Sequence, residues 1–488
     1  MEKLACFVVC AFALSCTWAA DDLLVVTVAT EETDGFKRFM RSAKQYGFRV
    51  KVLGMGEEWR GGDVDTYALG GHKINLLKKE LAKYKNDKNL LIMFTESHDV
   101  VLTDGPDAVR KRFAKFYARV VFSADASCWP DASLKDKYPE VLTEEKRYLN
   151  SGGFIGYAPD LYRIVCHSEV QDDDDDQSYY TSIFVDRFLR VKWNMKIDRN
   201  SDIFMNLHDS LGDAILKYSE NHNFLYNFRT GGSPVVVRGS RDFKGWTEFN
   251  WLTNYLGDGW TTSSGCLSCQ EDRISLDGVK MDDFPTVVMG LFVEQPTPFI
   301  REFFQRIAAL NYPKSKIDLF VQNKEYFHYR DVARFLDKHR KEYRSVTHIS
   351  PAHNVGDVVG RNWGLEKCVE QNCQYYFSVD AVAQLTDPNT LITLIEQNRT
   401  IIGPMLTTRP NTEQSNFLVA VYAVEHVFIP SADRKDLVAG KKLGLWNVPA
   451  VKSVILIQGS LIDKLRGAYV SSRTMFPEMT FCRHAVNL

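Results

Sequence analysis

Two carboxylates stand where a buried run of the chain ends. In MFTESHDVVL (93–102), Glu96 and Asp99 follow the apolar stretch NLLIMFT. Oxygen donors placed so can hold a hard divalent cation, and that cation can neutralise a diphosphate. This is the chemistry of nucleotide-sugar transfer, in which a nucleoside diphosphate departs. Acidic residues are also common in solvated loops after strands, so the segment alone fits that reading too. Asp172 to Asp176 form an unbroken acidic run. Such runs are ordinarily solvated. The following YYTSIFVDRFL (179–189) reads as a buried helix, however, so the last aspartates fall at a helix start, where the dipole tolerates negative charge. A carboxylate held there can act as a base toward an acceptor hydroxyl. In NSGGFIGYAP (150–159), Gly152 and Gly153 let backbone approach a ligand closely. With Trp59 and Trp129 as an aromatic rim, these segments fit a pocket for a base and a sugar.

Positioning such groups requires a rigid frame, and the pattern supplies one. LLVVTVAT (23–30) is a short β-branched strand, and DGFKRFMRSAKQYG (34–47) has helical spacing with a stop at Gly47. FRVKVLGM, GGHKINLLKKELAKYK and NLLIMFTE continue as strand, helix and strand, followed by a helix around 106–117 and a strand at ARVVFSAD (118–125). This alternation predicts an α/β fold with a mostly parallel sheet covered on both faces. Ligands bind such sheets at the carboxyl ends of their strands. A second run begins near Pro285, with strands in TVVMGLFVE, KIDLFVQN and QYYFSVDA and a helix in PTPFIREFFQRIAAL. A faint echo links the halves. FTESHD leads to Leu102-Thr103-Asp104, and FSVD leads to Leu385-Thr386-Asp387. Two related α/β domains follow from this, with the Gly- and Cys-rich 257–277 closing the first.

The chain has 488 residues, enough for two or three domains. Its 60 Lys+Arg against 62 Asp+Glu provide no basic field, which excludes nucleic acid as the main partner. After the N-terminus no apolar run is long enough to span a bilayer. Residues 1–20 combine Lys3, an apolar middle and Ala19-Ala20 before Asp21-Asp22, which reads as a signal peptide. The secretory route is oxidising, so Cys266/Cys269 and Cys368/Cys373 are disulfide candidates, with a shared zinc site as the alternative. Cys128, Cys166 and Cys482 are left unassigned. Asn398-Arg399-Thr400 is a glycosylation acceptor sequence.

Together these segments resemble the procollagen lysyl hydroxylases, the procollagen-lysine 2-oxoglutarate 5-dioxygenases. The resemblance is carried by VTVAT (26–30), GEEWRGGDV (56–64), FSAD (122–125), CWP (128–130), KYPEV (137–141), LNSGGFIGYAP (149–159) and DDDDDQ (172–177). It continues through NYLG (254–257), EQPTPF (294–299), YYFSVDA (375–381), QNR (397–399) and WNVP (446–449). It runs in order over nearly the whole chain after the leader.

The resemblance implies tandem GT-A-like, Rossmann-related domains: a glycosyltransferase-type domain over 21–280 and an accessory, non-catalytic one over 281–488. The family's third domain, an iron(II)/2-oxoglutarate dioxygenase, has no counterpart in this sequence, so lysine hydroxylation is expected only with that domain. The first domain of active family members moves glucose or galactose from a UDP-sugar to collagen hydroxylysine. Its manganese ligands match Glu96 and Asp99, but the third, a histidine, matches Arg238, and a nearby asparagine matches Ser240. A guanidinium stays protonated and has no lone pair for a metal, which puts Mn2+ in question. Nucleotide contacts match Val28, Thr30, Trp59 and Lys73, with His98 in place of a tyrosine. Asp175 and Asp176 match the catalytic acidic pair and Trp129 the acceptor side. In the accessory half, Val382 replaces a second aspartate after Asp380. Two functions are thereby expected. One is a UDP-glucose or UDP-galactose transferase acting on procollagen or collagen-like chains, in the endoplasmic reticulum lumen or secreted. The other is a non-catalytic form that binds collagen or a full-length partner. A homodimer is a candidate assembly.

Overall fold

A computed structural model gives the architecture. It describes residues 22–62, 70–141, 145–208, 210–239, 243–407, 414–418, 420–424, 427–472 and 475–485. The predicted leader 1–20 lies outside these, as do Asp63, Val64 and Ser240.

The first half begins β1 (Leu23–Val28), α1 (Asp34–Gln45), β2 (Val50–Leu53), α2 (Gly71–Leu81), β3 (Leu91–Thr95), β4 (Val100–Leu102), α3 (Pro106–Ala114) and β5 (Val120–Asp125). It continues through β6 (Tyr148–Tyr157), α4 (Ala158–Val165), α5 (Asp176–Val185), α6 (Arg187–Lys192), β7 (Met195–Ile197) and β8 (Phe204–Asn206). A hairpin of β9 (Ala214–Tyr218) and β10 (Asn223–Asn227), then β11 (Val236–Arg238) and α7 (Phe243–Leu252), complete it. Every residue of β1 and β3 is buried, as expected of strands covered on both faces. Thr33 caps α1 by accepting from the Phe36 N–H at 3.1 Å. The chain leaves that helix at Gly47, whose φ of +72° suits a residue without Cβ.

The main sheet has the order β2-β1-β3-β6-β5-β7. β1 pairs in parallel with β2 and β3, and β5 with β7, while β6 runs antiparallel to both β3 and β5. The glycine pair expected to admit a ligand lies inside this central antiparallel strand. The pattern hides the strand because Gly152, Gly153 and Gly156 break its hydrophobic run. They are tolerated because neighbours press close. A Cβ on Gly153 would lie 2.9 Å from the Phe204 ring, and one on Gly156 would lie 2.8 Å from Val120.

A second, three-stranded sheet, β4-β11-β8, sits beside the first. Its strands are three residues each, too short for periodicity to announce. Its register matters: Arg238 of β11 lies opposite Val100 of β4, and the Gly239 N–H donates to the Asp99 carbonyl at 2.8 Å. Strand pairing thus delivers Arg238 to the acidic end of β3.

Asp198 fixes the turn from β7 to β8. Its fully buried carboxylate accepts backbone N–H groups of Asp202, Ile203 and Phe204 at 2.7–2.8 Å. Burial raises its pKa to about 6 against the pull of those three donors.

The second half builds a sheet with strands in the order Ser345–Ile349, Ile317–Asn323, Val287–Val293, Tyr375–Asp380, Val454–Gln458 and Ile401–Ile402. The first four are parallel and the last two antiparallel to their neighbours. Cys266–Cys269 and Cys368–Cys373 are two local disulfides rather than a shared metal site, and Cys128, Cys166 and Cys482 are free thiols. Asn398 donates its side-chain amide to the Asp272 carbonyl at 3.3 Å. Among the described residues no helix is long and apolar enough to cross a membrane.

Asp198 gives a pH prediction. Its folded pKa lies above the ordinary aspartate value, so the folded state holds this proton more tightly than the unfolded one. Its contribution to stability falls as pH rises from about 4 to about 6. Asp198→Asn removes this dependence, and urea unfolding at pH 4.5 and 6.5 should show a flatter profile, by about 1–3 kcal/mol. An unchanged profile refutes the assignment.

Candidate functional site

At the carboxyl end of β3 the side chains form a chain of alternating charge. Asp176, the first residue of α5, bonds Lys73 of α2 at 2.7 Å. Lys73 Nζ also bonds Glu96 Oε1 at 3.0 Å. The other Glu96 oxygen pairs with the Arg238 guanidinium, whose Nε donates to Asp99 Oδ2 at 3.1 Å. Three elements and one turn therefore meet in a single cluster of ion-paired side chains. Gly70 (φ +145°) precedes α2 here, and a Cβ on it would lie 2.6 Å from the Lys73 side chain and 3.0 Å from the Asp176 carboxyl.

Burial alone would drive the lysine and arginine toward neutrality. Pairing overrides it. Asp176 and Glu96 hold the Lys73 ammonium above its usual pKa, and Asp99, Glu96 and Asp125 do the same for Arg238. Both cations thus stay charged inside the protein.

Asn150 joins this network, a role that nothing in its local sequence pattern marks. Its Oδ1 accepts from Arg238 Nη1 at 3.2 Å and from the Gly152 N–H at 2.8 Å, while its Nδ2 donates to Asp125 at 2.7 Å. Asn206 donates to the other oxygen of Asp125 at 2.9 Å. A Cβ on Gly152 would lie 2.0 Å from Arg238 Nη1, so the guanidinium occupies the space that a side chain at 152 would fill. Only the segments LNSGGFIGYAP and FSAD had marked this place.

The other predicted residues are placed as follows. Val28 is buried at the end of β1, and two residues later the Thr30 carbonyl accepts from the Gly56 N–H at 3.0 Å. Trp59 is half-buried, its indole edge-on to His72 at 5.4 Å and its Nε1 donating to the Gly62 carbonyl at 2.7 Å. His98 turns away from the ion chain toward α1, with Nδ1 2.7 Å from the Thr33 hydroxyl. Trp129 is exposed, and its carbonyl accepts from Gln177 at 3.4 Å. The Asp175 carboxylate caps α5 through the N–H groups of Gln177 and Ser178 at 3.0 and 3.2 Å, and burial raises its pKa. The acidic run thus ends at a helix start, as its composition had suggested.

A divalent cation needs free oxygens. Glu96 gives one oxygen to Lys73 and the other to Arg238, Asp99 gives Oδ2 to Arg238, and among the described residues no group of three or more His, Cys, Asp or Glu side chains is arranged to hold a metal. The donor set does not fit Mn2+ while the guanidinium sits between those carboxylates.

Arg361 has a comparable place in the second half. It is nearly wholly buried and pairs with Asp357, Asp380 and Glu294 at 2.6, 2.8 and 3.0 Å. Val382 is exposed.

An α/β sheet carrying polar groups at its carboxyl edge is a frame on which such folds bind ligands, glycosyltransferases among them. A family model described as the PLOD GT domain matches residues 19–266, and one described as glycosyltransferase family 25, N-terminal domain, matches 358–476. The chain belongs to the procollagen lysyl hydroxylase family. It is 42% identical over 469 residues to procollagen-lysine,2-oxoglutarate 5-dioxygenase 2 of Mus musculus, covering 96% of this chain and 63% of that relative. It is 41% identical over 466 residues to the multifunctional procollagen lysine hydroxylase and glycosyltransferase LH3 of Rattus norvegicus, covering 95% and 62%. The chain therefore spans somewhat under two thirds of these relatives. Among solved structures, a mannosyltransferase from Pyrobaculum calidifontis in complex with GDP-mannose and Mn2+ is similar over 42% of this chain and 53% of its own. At 15% identity and a TM-score of 0.29, that likeness has no bearing on function.

Lys73 is the link most exposed to test. Lys73→Met leaves Glu96 and Asp176 without their shared cation, and removing one partner of a largely buried pair costs about 3–5 kcal/mol. Denaturant unfolding should show that loss. Adding Asp176→Asn should recover part of it, because Glu96 keeps its pairing with Arg238 and the charge left without a cation is that of Asp176.

Proposed function

We propose that this chain is the glycosyltransferase-type portion of a collagen lysine-modifying enzyme of the secretory route, lumenal or secreted. Its donor would be UDP-glucose or UDP-galactose, and its acceptor hydroxylysine in procollagen or collagen-like chains. The observation that carries this reading is the convergence of Lys73, Glu96, Asp99, Asp176 and Arg238 in one ion-paired cluster at the carboxyl end of β3. In this reading Val28, Thr30 and Trp59 line the uridine side and Trp129 borders the acceptor, and His98, matched to the same side by resemblance, would have to leave its bond to Thr33 to join them. Asp176, rather than the helix-capping Asp175, faces the acceptor hydroxyl. Residues 21–280 form the transferase-type domain and 281–488 an accessory one without catalysis. Glycosylation at Asn398 and assembly as a homodimer belong to the same proposal.

Manganese would stabilise a departing diphosphate, but no step is assigned to it, because Arg238 occupies its ligands. Arg238 and Lys73 would meet the diphosphate themselves, since arginine matches phosphate oxygens with paired donors. Both already share their charge with carboxylates. That self-pairing favours a second reading, in which the domain binds collagen or a full-length partner without transferring sugar. Lysine hydroxylation, with Fe2+ and 2-oxoglutarate, would then require the dioxygenase domain of a longer protein.

Calorimetric titration of UDP with and without Mn2+ separates the two. Under the transferase reading UDP binds the wild type, and Mn2+ changes its affinity little. Arg238→His supplies a lone pair between Glu96 and Asp99, and should make UDP binding and UDP-sugar hydrolysis Mn2+-dependent by at least about tenfold. No UDP binding by either protein removes the transferase reading and leaves the non-catalytic one.

A further inference from the structure

The second half sets four aromatic side chains in water along one rim. Phe299, Tyr326, Phe327 and Tyr329 are 72%, 72%, 77% and 50% exposed. They lie on the two segments that follow the paired strands Val287–Val293 and Ile317–Asn323, at the carboxyl edge where α/β sheets receive ligands. A hydrogen bond ties these segments together: the Thr297 N–H donates to Nε2 of the buried His328 at 2.7 Å. Phe327 and Tyr329 flank that histidine, and Phe299 is two residues from the threonine. On the helices that continue from the two segments, Arg301 pairs with Asp331 at 2.8 Å. Behind the rim Arg361 already holds Glu294 and Asp380 at the strand ends, so the surface left to a partner is the aromatic one.

Phe299 shows that the arrangement is unfavourable for the free chain. It occupies the N-cap of the helix Ile300–Ala308, where a polar side chain would accept a backbone N–H, and it makes no such bond. Its φ of +62° is one that a bulky residue adopts only under strain. Burial does not compensate, since the ring is in water. An outside partner covering the ring would offset these losses, and exposed apolar groups gathered at one place are the mark of an interaction surface.

The chemistry of the rim selects that partner. The Tyr326 and Tyr329 hydroxyls make no hydrogen bond among the described residues, and the adjoining Lys324 and Arg330 are exposed and carry donors only. The acceptor side chains that the same segments leave unpaired in or near water are Gln295 and the half-buried Glu325. A face of rings and donors complements a chain that presents compact apolar rings and free carbonyls but few N–H groups. A proline-rich chain in the polyproline II conformation is such a partner, because that backbone has no internal hydrogen bonds and proline has no N–H. Aromatic-lined surfaces are how these chains are recognised elsewhere. We propose that this rim docks a proline-rich segment in the polyproline II conformation, with Phe299 and Phe327 against its prolines and the Tyr326 and Tyr329 hydroxyls donating to its carbonyls. The collagen-like acceptor proposed above is a chain of this kind, and to that extent the inference rests on that reading. The rim lies in the other half from the Glu96 cluster and needs neither nucleotide nor metal.

The test is calorimetric titration of the full chain, without nucleotide, using decaproline and a Gly-Ser peptide of equal length. Decaproline should bind at least about tenfold more tightly than the Gly-Ser peptide. Phe299→Ser combined with Phe327→Ser should bring decaproline down to the Gly-Ser level, whereas Phe188→Ser, which removes an exposed ring from α6, should change nothing. Equal binding of the two peptides, binding of neither, decaproline binding that survives the double variant, or an equal loss in Phe188→Ser overturns the proposal. A wild type that sediments as a dimer, a double variant that does not, and no decaproline binding assign the rim to a second copy of the chain and overturn it as well. Should the double variant fail to fold, Tyr326→Ser takes its place. UDP titration is read separately, so loss of the rim proposal leaves the transferase reading standing, and the reverse.

Discussion

The placement of the Arg238 guanidinium between Glu96 and Asp99 is the constraint around which the cleft is organised. The charge has been taken out of water, so it must be matched closely or expelled. Matching comes from three directions: the acidic turn after β3, the Asn150 amide from β6, and through Glu96 the Lys73–Asp176 pair on α2 and α5. Each carboxylate is satisfied by a cation that is itself shared. The cleft is therefore rigid and nearly self-sufficient, and an anionic donor entering it must compete for bonds already made. That competition decides between a transferase and a binding domain. It arises from one residue type at the end of a three-residue strand.

Much of the frame was legible from local pattern. β1 and β3 read as strands because buried parallel strands are continuous apolar runs, and α1 because its apolar residues fall at helical spacing before Gly47. Asp175 and Asp176 at a helix start could be read from the aromatic run that follows them. What escaped was non-local or locally contradictory. β6 was concealed by its glycines, and the β4-β11-β8 sheet by strands too short to show a period. Arg238 was singled out only by resemblance to a family. Its carboxylate partners Glu96 and Asp99 are more than a hundred residues away and are brought to it by the pairing of β11 with β4. His98 and Trp129 shared the expected neighbourhood in sequence, yet they face α1 and solvent respectively.

The two halves repeat one solution. Each sheet has acidic side chains at its carboxyl edge and an arginine pairing with them, the partly exposed Arg238 in the first and the buried Arg361 in the second. The arginines come from different elements, a strand in one case and the helix Asp357–Gln371 in the other. The shared feature is thus a physical requirement of burying carboxylates there, met twice by different means.

Gly152 shows how narrow the route to this arrangement is. A Cβ there would compete with Arg238 Nη1 for one space, 2.0 Å away, and would also crowd Asn150 Oδ1 at 3.0 Å. The guanidinium is the end of a flexible side chain, so a substituent at 152 displaces it from Glu96 and Asp99 and does not break the fold. The two sites thus form an epistatic pair, in which a change at 152 is felt through the charge balance of the ion chain.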